Sequence, residues 1–183
     1  GGGTTEIAVI ALSGIVTNSS IRIAGDEMDD SIIQYIKKNY NLIIGEQTAE
    51  NIKITIGNAF PTIEEKALEV KGRDLVSGIP KTIKFTSHEV REAIQEPLSM
   101  ISETIRLTLE KTPPELAADI VNNGIYMAGG SSLLRGIDTL VREDTNLPVT
   151  IADEPNKVVV IGAGRILEDL NRYEKVIYTM KRA

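Results

Sequence analysis

Two glycine turns, far apart in the chain and each joined to a short β-prone run, constrain this sequence more than anything else in it. The chain begins Gly1-Gly2-Gly3-Thr4-Thr5 and passes directly into Glu6-Ile7-Ala8-Val9-Ile10-Ala11-Leu12, a largely apolar run ended by Ser13-Gly14. Such a run predicts a strand buried on both faces. Downstream, Gly124-Ile125-Tyr126-Met127-Ala128 predicts a second short buried strand. It leads into Gly129-Gly130-Ser131-Ser132 and a helix carrying Leu134, Ile137, Leu140 and Val141. Glycine backbones let amides approach an oxyanion without a Cβ in the way, and amides at a helix start attract phosphate. Each turn alone has a plainer reading, a flexible linker for the first and a serine-capped strand-to-helix turn for the second. Two such turns separated by one long insertion are what a site gripping a single phosphate chain from two directions requires.

The intervening residues organise into alternating elements. Ile15-Val16-Thr17 and Ile21-Arg22-Ile23, interrupted at Asn18-Ser19-Ser20, complete an antiparallel hairpin with the first strand. Asp26, Glu27, Asp29 and Asp30 precede Lys37 and Lys38, the charge order a helix dipole favours, with Met28, Ile32, Ile36 and Tyr40 as the apolar stripe. Thr48 is placed to cap a second helix in which Ala49, Ile52, Ile56 and Ala59 share a face, with Pro61 beyond its end. Leu68–Lys71 and Thr82–Phe85 flank a polar connection, Gly72–Pro80, and predict a hairpin. Thr86 and Glu89 have capping-box spacing ahead of a long helix striped by Val90, Ile94, Leu98, Ile101, Ile105 and Leu109, which Pro97 should kink. Thr112-Pro113-Pro114-Glu115 repeats that spacing before a short helix through Ile120. Pro148–Ala152 predicts a strand, Lys157–Leu170 a last helix, and Arg172–Ala183 a weakly helical tail.

Composition narrows the partners. A net charge of −6 opposes sequence-independent binding to nucleic acid, whose affinity comes from Lys and Arg neutralising phosphates, and opposes anionic lipid for the same reason. No apolar run reaches the ~20 residues a membrane-spanning helix needs. With no cysteine there is no disulfide and no thiolate metal site, which fits a reducing compartment. The single histidine, His88, falls in a helix's first turn and is read as an exposed helix-start residue, and the acids at 26–30 are read as helix-start charges rather than a metal cluster.

Several motifs together resemble the MreB family of bacterial actin-like proteins. Gly-Gly-Gly-Thr-Thr-Glu before an apolar strand is similar to the second phosphate loop of actin-like ATPases, and Ile23-Ala24-Gly25-Asp26-Glu27-Met28-Asp29 to the segment that follows it in MreB proteins. Gly45-Glu46-Gln47-Thr48-Ala49-Glu50-Asn51-Ile52-Lys53 resembles their adenosine-contacting helix. Gly72-Arg73-Asp74-Leu75 with Gly78-Ile79-Pro80, Glu110–Ala117, and Ala128-Gly129-Gly130 before Leu133-Leu134-Arg135-Gly136 match as well, so that the likeness extends to about Asp169.

The resemblance implies an α/β fold of the actin-like ATPase (ribonuclease H-like) type, one half of the molecule, with a smaller α+β subdomain inserted. Residues 1–25 and 93–183 would form the larger subdomain and 26–92 the insertion. Gly1, Gly2, Gly3 and Thr4 would line the β- and γ-phosphates of ATP or ADP, Ala49, Glu50, Asn51, Ile52 and Lys53 would border ribose and adenine, and Gly129, Gly130, Ser131 and Ser132 would close over the nucleotide. Glu50 and Lys53, three apart on one helix face, are equally readable as a surface ion pair. In the family an aspartate that helps hold magnesium precedes the triple glycine, and the first phosphate loop and the carboxylate positioning the attacking water lie in the other half. The chain therefore carries no catalytic or metal-ligating residue by this reading, and is expected to bind nucleotide weakly and not to hydrolyse it, because phosphoryl transfer depends on positioning and cations. The intact protein would be an ATPase that self-associates into filaments, organises cell-wall synthesis with partner proteins and sets rod shape. It would be cytoplasmic and would touch the membrane only through the other half. A chaperone-type ATPase, or a sugar or acetate kinase, of the same superfamily is the alternative.

Overall fold

The computed structural model describes residues 1–11, 14–61 and 64–173; the expected strand end at Leu12 and residues 174–183 of the expected tail lie outside them. Strands β1 (Thr5–Ala11) and β2 (Gly14–Ile21) form the antiparallel hairpin, with Thr5 opposite Ile21 and a register shift between Val9 and Ile10. The break expected at Asn18–Ser20 is absent. These residues pair with Ala8, Ile7 and Glu6, and two of the small polar side chains find partners, Ser20 donating to Glu6 across the hairpin at 2.7 Å and Ser19 accepting from the distant Thr108 at 2.9 Å. Nor is β1 buried on both faces. Its residues alternate between half-buried and exposed, because the helix Gln95–Glu110 packs on one side of the hairpin while Ile10 on the other stands 70% exposed.

Helix α1 (Gly25–Tyr40) buries Met28, Ile32 and Ile36, as its stripe requires. Helix α2 (Glu46–Ile56) packs on it through Ala49, Ile52 and Ile56, with Ala59 buried just beyond. Thr48 does not cap α2. The extended Gly45 starts the helix, its carbonyl taking the Thr48 and Ala49 amides at 3.0 and 3.1 Å, so Thr48 lies inside the first turn.

Strands β3 (Leu42–Ile43), β4 (Ala67–Asp74) and β5 (Pro80–Thr86) form an antiparallel sheet in that order. The β4–β5 strands are longer than expected, shrinking the connection to residues 75–79. Pairing with β3 explains the extension at Gly72, where a Cβ would stand 2.4 Å from the Ile43 carbonyl, so only glycine lets the strands close. Phe85, fully buried, lies beneath Tyr35 and Tyr40 at ring-centroid distances of 5.8 and 6.1 Å. The Tyr40 hydroxyl donates to Glu89, which pushes its pKa up to about 12.

Thr86 and Glu89 form the expected capping box at the start of α3 (Ser87–Ala93). The long helix breaks at Ile94 and resumes as α4 (Gln95–Glu110). The ring of Pro97 would meet the carbonyl of Ala93 in a continuous helix, which places the break there. Thr112 does not cap the next helix, α5 (Pro114–Asn123). Its hydroxyl turns back to the Thr108 carbonyl at 2.9 Å, leaving Pro113 as the cap.

Strands β6 (Ile125–Met127) and β7 (Val149–Ile151) pair in parallel, and β6 is only half-buried, with Tyr126 74% exposed. The helix expected directly after the second glycine turn is a single 3-10 turn, Gly130–Leu133, and α6 (Ile137–Thr145) starts later. Arg135 bridges to Asn58, and its carbonyl accepts from the Ala59 amide at 2.8 Å, so the chain is extended there until Gly136 turns it at φ +72°. The last described helix, α7 (Val158–Glu168), is apolar yet has no buried residue.

Candidate functional site

The two glycine turns meet. The amides of Gly25 and Asp26, at the start of α1, donate to the Gly1 and Gly2 carbonyls at 3.3 and 2.9 Å. From the other side, the Ser131 hydroxyl donates to the Gly1 carbonyl at 2.9 Å, a contact spanning 130 residues of chain. Gly129 adopts φ +92°, and a Cβ there would lie 3.4 Å from the Gly1 nitrogen. Gly25 sits at the joint: a Cβ on it would be 3.2 Å from both the Lys53 Nζ and the Ser131 Oγ. Three segments distant in sequence thus close on one point where side chains have been kept small.

Around that point lies a hollow of about 870 Å³, within the range typical of ligand pockets. Its walls come from Gly1 and Gly2, the start of α1, the outer face of α2, and the turn from Gly130 to Arg135. Lys53 crosses from α2 to α1, donating to the Gly25 carbonyl at 2.8 Å and to Asp29 Oδ2 at 2.7 Å. Two of its three donors are used in this way, and one is left for a ligand.

Asp29 is the most perturbed group of the hollow. Burial raises its pKa above the usual 3.8, the Lys53 hydrogen bond and charge oppose that, the Glu50 and Asp26 carboxylates add to it, and the net shift is upward. An ion pair at 2.7 Å would ordinarily lower it, but the desolvation cost is larger here, and the second oxygen, Oδ1, is buried without a partner.

Of the residues singled out from the sequence, Gly1, Gly2, Glu50, Lys53, Gly130 and Ser131 line the hollow. Gly3 abuts the Asp26 carboxylate, a Cβ there falling 3.4 Å from Oδ2, and Thr4 leads into β1. Gly129 presses on Gly1, while the buried Ser132 hydroxyl donates to the Gly129 carbonyl at 2.7 Å and holds the turn. Ala49 and Ile52 are fully buried in the core, and Asn51 accepts from the Thr55 hydroxyl on the surface. Asp26, Asp29, Asp30 and Arg135 also line the hollow. The sequence marks the acids only as helix-start charges, and the Asp29–Lys53 pair spans 24 residues that no periodicity connects. Among the described residues, no group of three or more His, Cys, Asp or Glu side chains is arranged to hold a metal ion.

The family model for MreB/Mbl protein matches residues 1–175. The chain belongs to the MreB/Mbl family. It is 47% identical over 175 residues to the cell shape-determining protein Mbl of Bacillus cereus, covering 96% of this chain and 53% of that protein. It is 47% identical over 173 residues to the cell shape-determining protein MreB of Escherichia coli, covering 94% of this chain and 50% of that protein. The crystal structure of MreB 5 of Spiroplasma citri bound to AMPPNP superposes with a TM-score of 0.90 at 38% identity, over 95% of this chain and 52% of that one. A MamK double helical filament matches with a TM-score of 0.77 at 25% identity, over 92% of this chain and 52% of that one. The fold is therefore the actin-like ATPase fold, and the chain spans about half the length of the MreB/Mbl relatives it matches.

Proposed function

We propose that this chain forms one wall of an adenine-nucleotide site in a filament-forming, cell shape-determining actin-like protein. The observation that carries this reading is the meeting of Gly1-Gly2 with Gly130-Ser131 at one hollow bordered by Lys53 and Glu50. Where Gly2, Gly25 and Gly129 stand, a Cβ would come within 3.2–3.4 Å of neighbouring atoms, which makes a cradle fitted to backbone approach. Support also comes from relatives: MreB 5 structures are bound to AMPPNP and to ADP, and MamK forms a double helical filament.

In this site the glycine-run and Gly130 amides bind phosphate oxygens, Ser131 fixes the two turns against each other, and Lys53 with Glu50 faces the nucleoside. Asp29 holds Lys53 in place. Magnesium would neutralise phosphate charge in the intact site, and we assign it no ligand among the described residues. This chain alone then binds nucleotide weakly and does not hydrolyse it. We assign residues 1–25 and 93–183 to the larger subdomain and 26–92 to the inserted one, boundaries that fall beside Gly25 and the helix break at Ile94. The apolar, exposed face of α7 fits a surface covered by the remainder of a protein twice this length. The whole protein acts in the cytoplasm, where its filaments organise cell-wall synthesis proteins and set rod shape.

Sedimentation of the full-length protein with ATP and magnesium tests this. Filaments that pellet only with nucleotide are expected. A protein that stays soluble and whose ATP turnover rises with peptide or sugar would refute the reading in favour of a chaperone or kinase of the same superfamily.

A further inference from the structure

Asp26 places a carboxylate in the glycine cradle. Its amide donates to the Gly2 carbonyl at 2.9 Å, so the residue is tied to the first glycine turn through its backbone. The side chain lies against the same turn: a Cβ on Gly2 would stand 3.2 and 3.3 Å from Oδ1 and Oδ2, and one on Gly3 3.4 Å from Oδ2. The residue is exposed and lines the hollow, and among the described residues no salt bridge reaches it. Five of the side chains lining the hollow are acidic and two are basic. Of the basic pair, Lys53 is held by Asp29 and the Gly25 carbonyl, and the Arg135 guanidinium donates to the Thr55 carbonyl. The Asp26 charge therefore stands unmatched beside the glycine backbone that is read as the phosphate contact.

A carboxylate in the first turn of α1 has a plain structural role, since it complements the helix dipole. That role asks for no contact with a turn 23 to 24 residues earlier in the chain. The contact has a consequence for any anion drawn to the same backbone. Two like charges about 4 Å apart repel strongly enough to weaken association about fivefold in bulk water, and more in a partly enclosed site. A cation bound to the anion removes that opposition. On the adenine-nucleotide reading of the hollow, on which this rests, we propose that Asp26 determines which form of the nucleotide this wall accepts. Its carboxylate opposes a free polyphosphate and admits one whose charge a bound divalent cation has neutralised. It acts by charge on the phosphate chain alone and takes no part in holding base or sugar.

Isothermal titration calorimetry of the full chain with millimolar adenosine, ADP and ATP, each in EDTA and in excess magnesium, tests this against Asp26→Asn, which removes the charge at nearly constant shape. In EDTA the variant should bind ATP at least about fivefold more tightly than the parent chain, gain less with ADP, and bind adenosine within about twofold. The ATP gain should shrink in about 1 M salt, where screening acts over ~3 Å. In magnesium the two proteins should differ by less than about twofold, the cation having taken up the charge. A gain equal for adenosine and ATP overturns the proposal by tracing it to a change of shape, and an ATP affinity unchanged in EDTA overturns it as well. Weaker binding of ATP by the variant in magnesium does so too, by making Asp26 a ligand of the cation. Those results leave the nucleotide reading standing. Failure of both proteins to bind any of the three, with and without magnesium, refutes that reading and the role of Asp26 with it.

Discussion

Lys53→Met tests how the hollow is held together. The ammonium lies 2.7 Å from Asp29 Oδ2 and 2.8 Å from the Gly25 carbonyl, with the two side chains 15% and 13% exposed. Breaking a buried ion pair by removing one partner costs about 3–5 kcal/mol, because the remaining charge is stranded. Asp29 has a way out, which is to take up a proton. At 1.36 kcal/mol per pH unit, protonating a carboxyl of ordinary pKa 3.8 costs about 4.4 kcal/mol at pH 7 and about 1.6 kcal/mol at pH 5, which caps the Asp29 share of the loss at each pH. The sign follows from linkage. The Asp29 pKa is raised in the folded protein, so the native state holds more protons than the unfolded one above 3.8, and stability falls as pH rises through that window. Urea unfolding followed by circular dichroism should therefore show Lys53→Met destabilised by about 3–5 kcal/mol at pH 7 and by about 2 kcal/mol less at pH 5. In an Asp29→Asn background, the same substitution should cost only hydrogen bonds, to the Gly25 carbonyl and to the amide oxygen introduced at position 29, about 2 kcal/mol. A cost equal at both pH values, or undiminished in the Asn background, would refute the claim that a buried carboxylate is what Lys53 balances.

Two further outcomes follow from local geometry. Gly124→Ala places a Cβ 2.3 Å from the Pro148 carbonyl at a residue with φ +73°, and should destabilise by about 2–4 kcal/mol in urea by prising β6 from β7; a loss under about 0.5 kcal/mol would contradict the positive-φ constraint. The amide and hydroxyl of Ser77, with Lys81 and the Val76 amide, hold the Asp74 carboxyl well below its usual 3.8, so its stabilisation is full above that value and lost as pH falls beneath it. Asp74→Asn should flatten the acid limb of the melting-temperature profile below about pH 4, and an unchanged limb would assign acid loss to other groups.

Much of this architecture was legible because local signals and tertiary packing agree. The stripe at Met28, Ile32 and Ile36 is buried as its spacing demands, and the Thr86–Glu89 box caps α3 with both reciprocal bonds. The misreadings share one cause. Thr112 has the spacing of a cap but spends its hydroxyl on Thr108, and Thr48 is pre-empted by the Gly45 carbonyl, because a hydroxyl takes whichever partner the surrounding backbone presents. Strand burial departs from the sequence pattern for a related reason. An apolar run at 6–12 states that a strand can be covered twice, while the coverage itself depends on elements elsewhere, and α4 supplies it on one face.

The site divides in the same way. Sequence alone determined that two backbones would be free of side chains at Gly1–Gly3 and Gly129–Gly130, and that Glu50 and Lys53 would share a helix face, since these follow from residue type and a 3.6-residue period. Only the tertiary structure decided that Ser131 closes on Gly1 and that Lys53 is bound to Asp29 across two helices, while the burial of Ala49 and Ile52 follows the apolar stripe they share with Ile56 and Ala59. Those contacts bridge 24 to 130 residues, and no local preference encodes them. The Lys53–Asp29 contact arises where α1 and α2 bury their apolar stripes against each other and so bring their polar edges together.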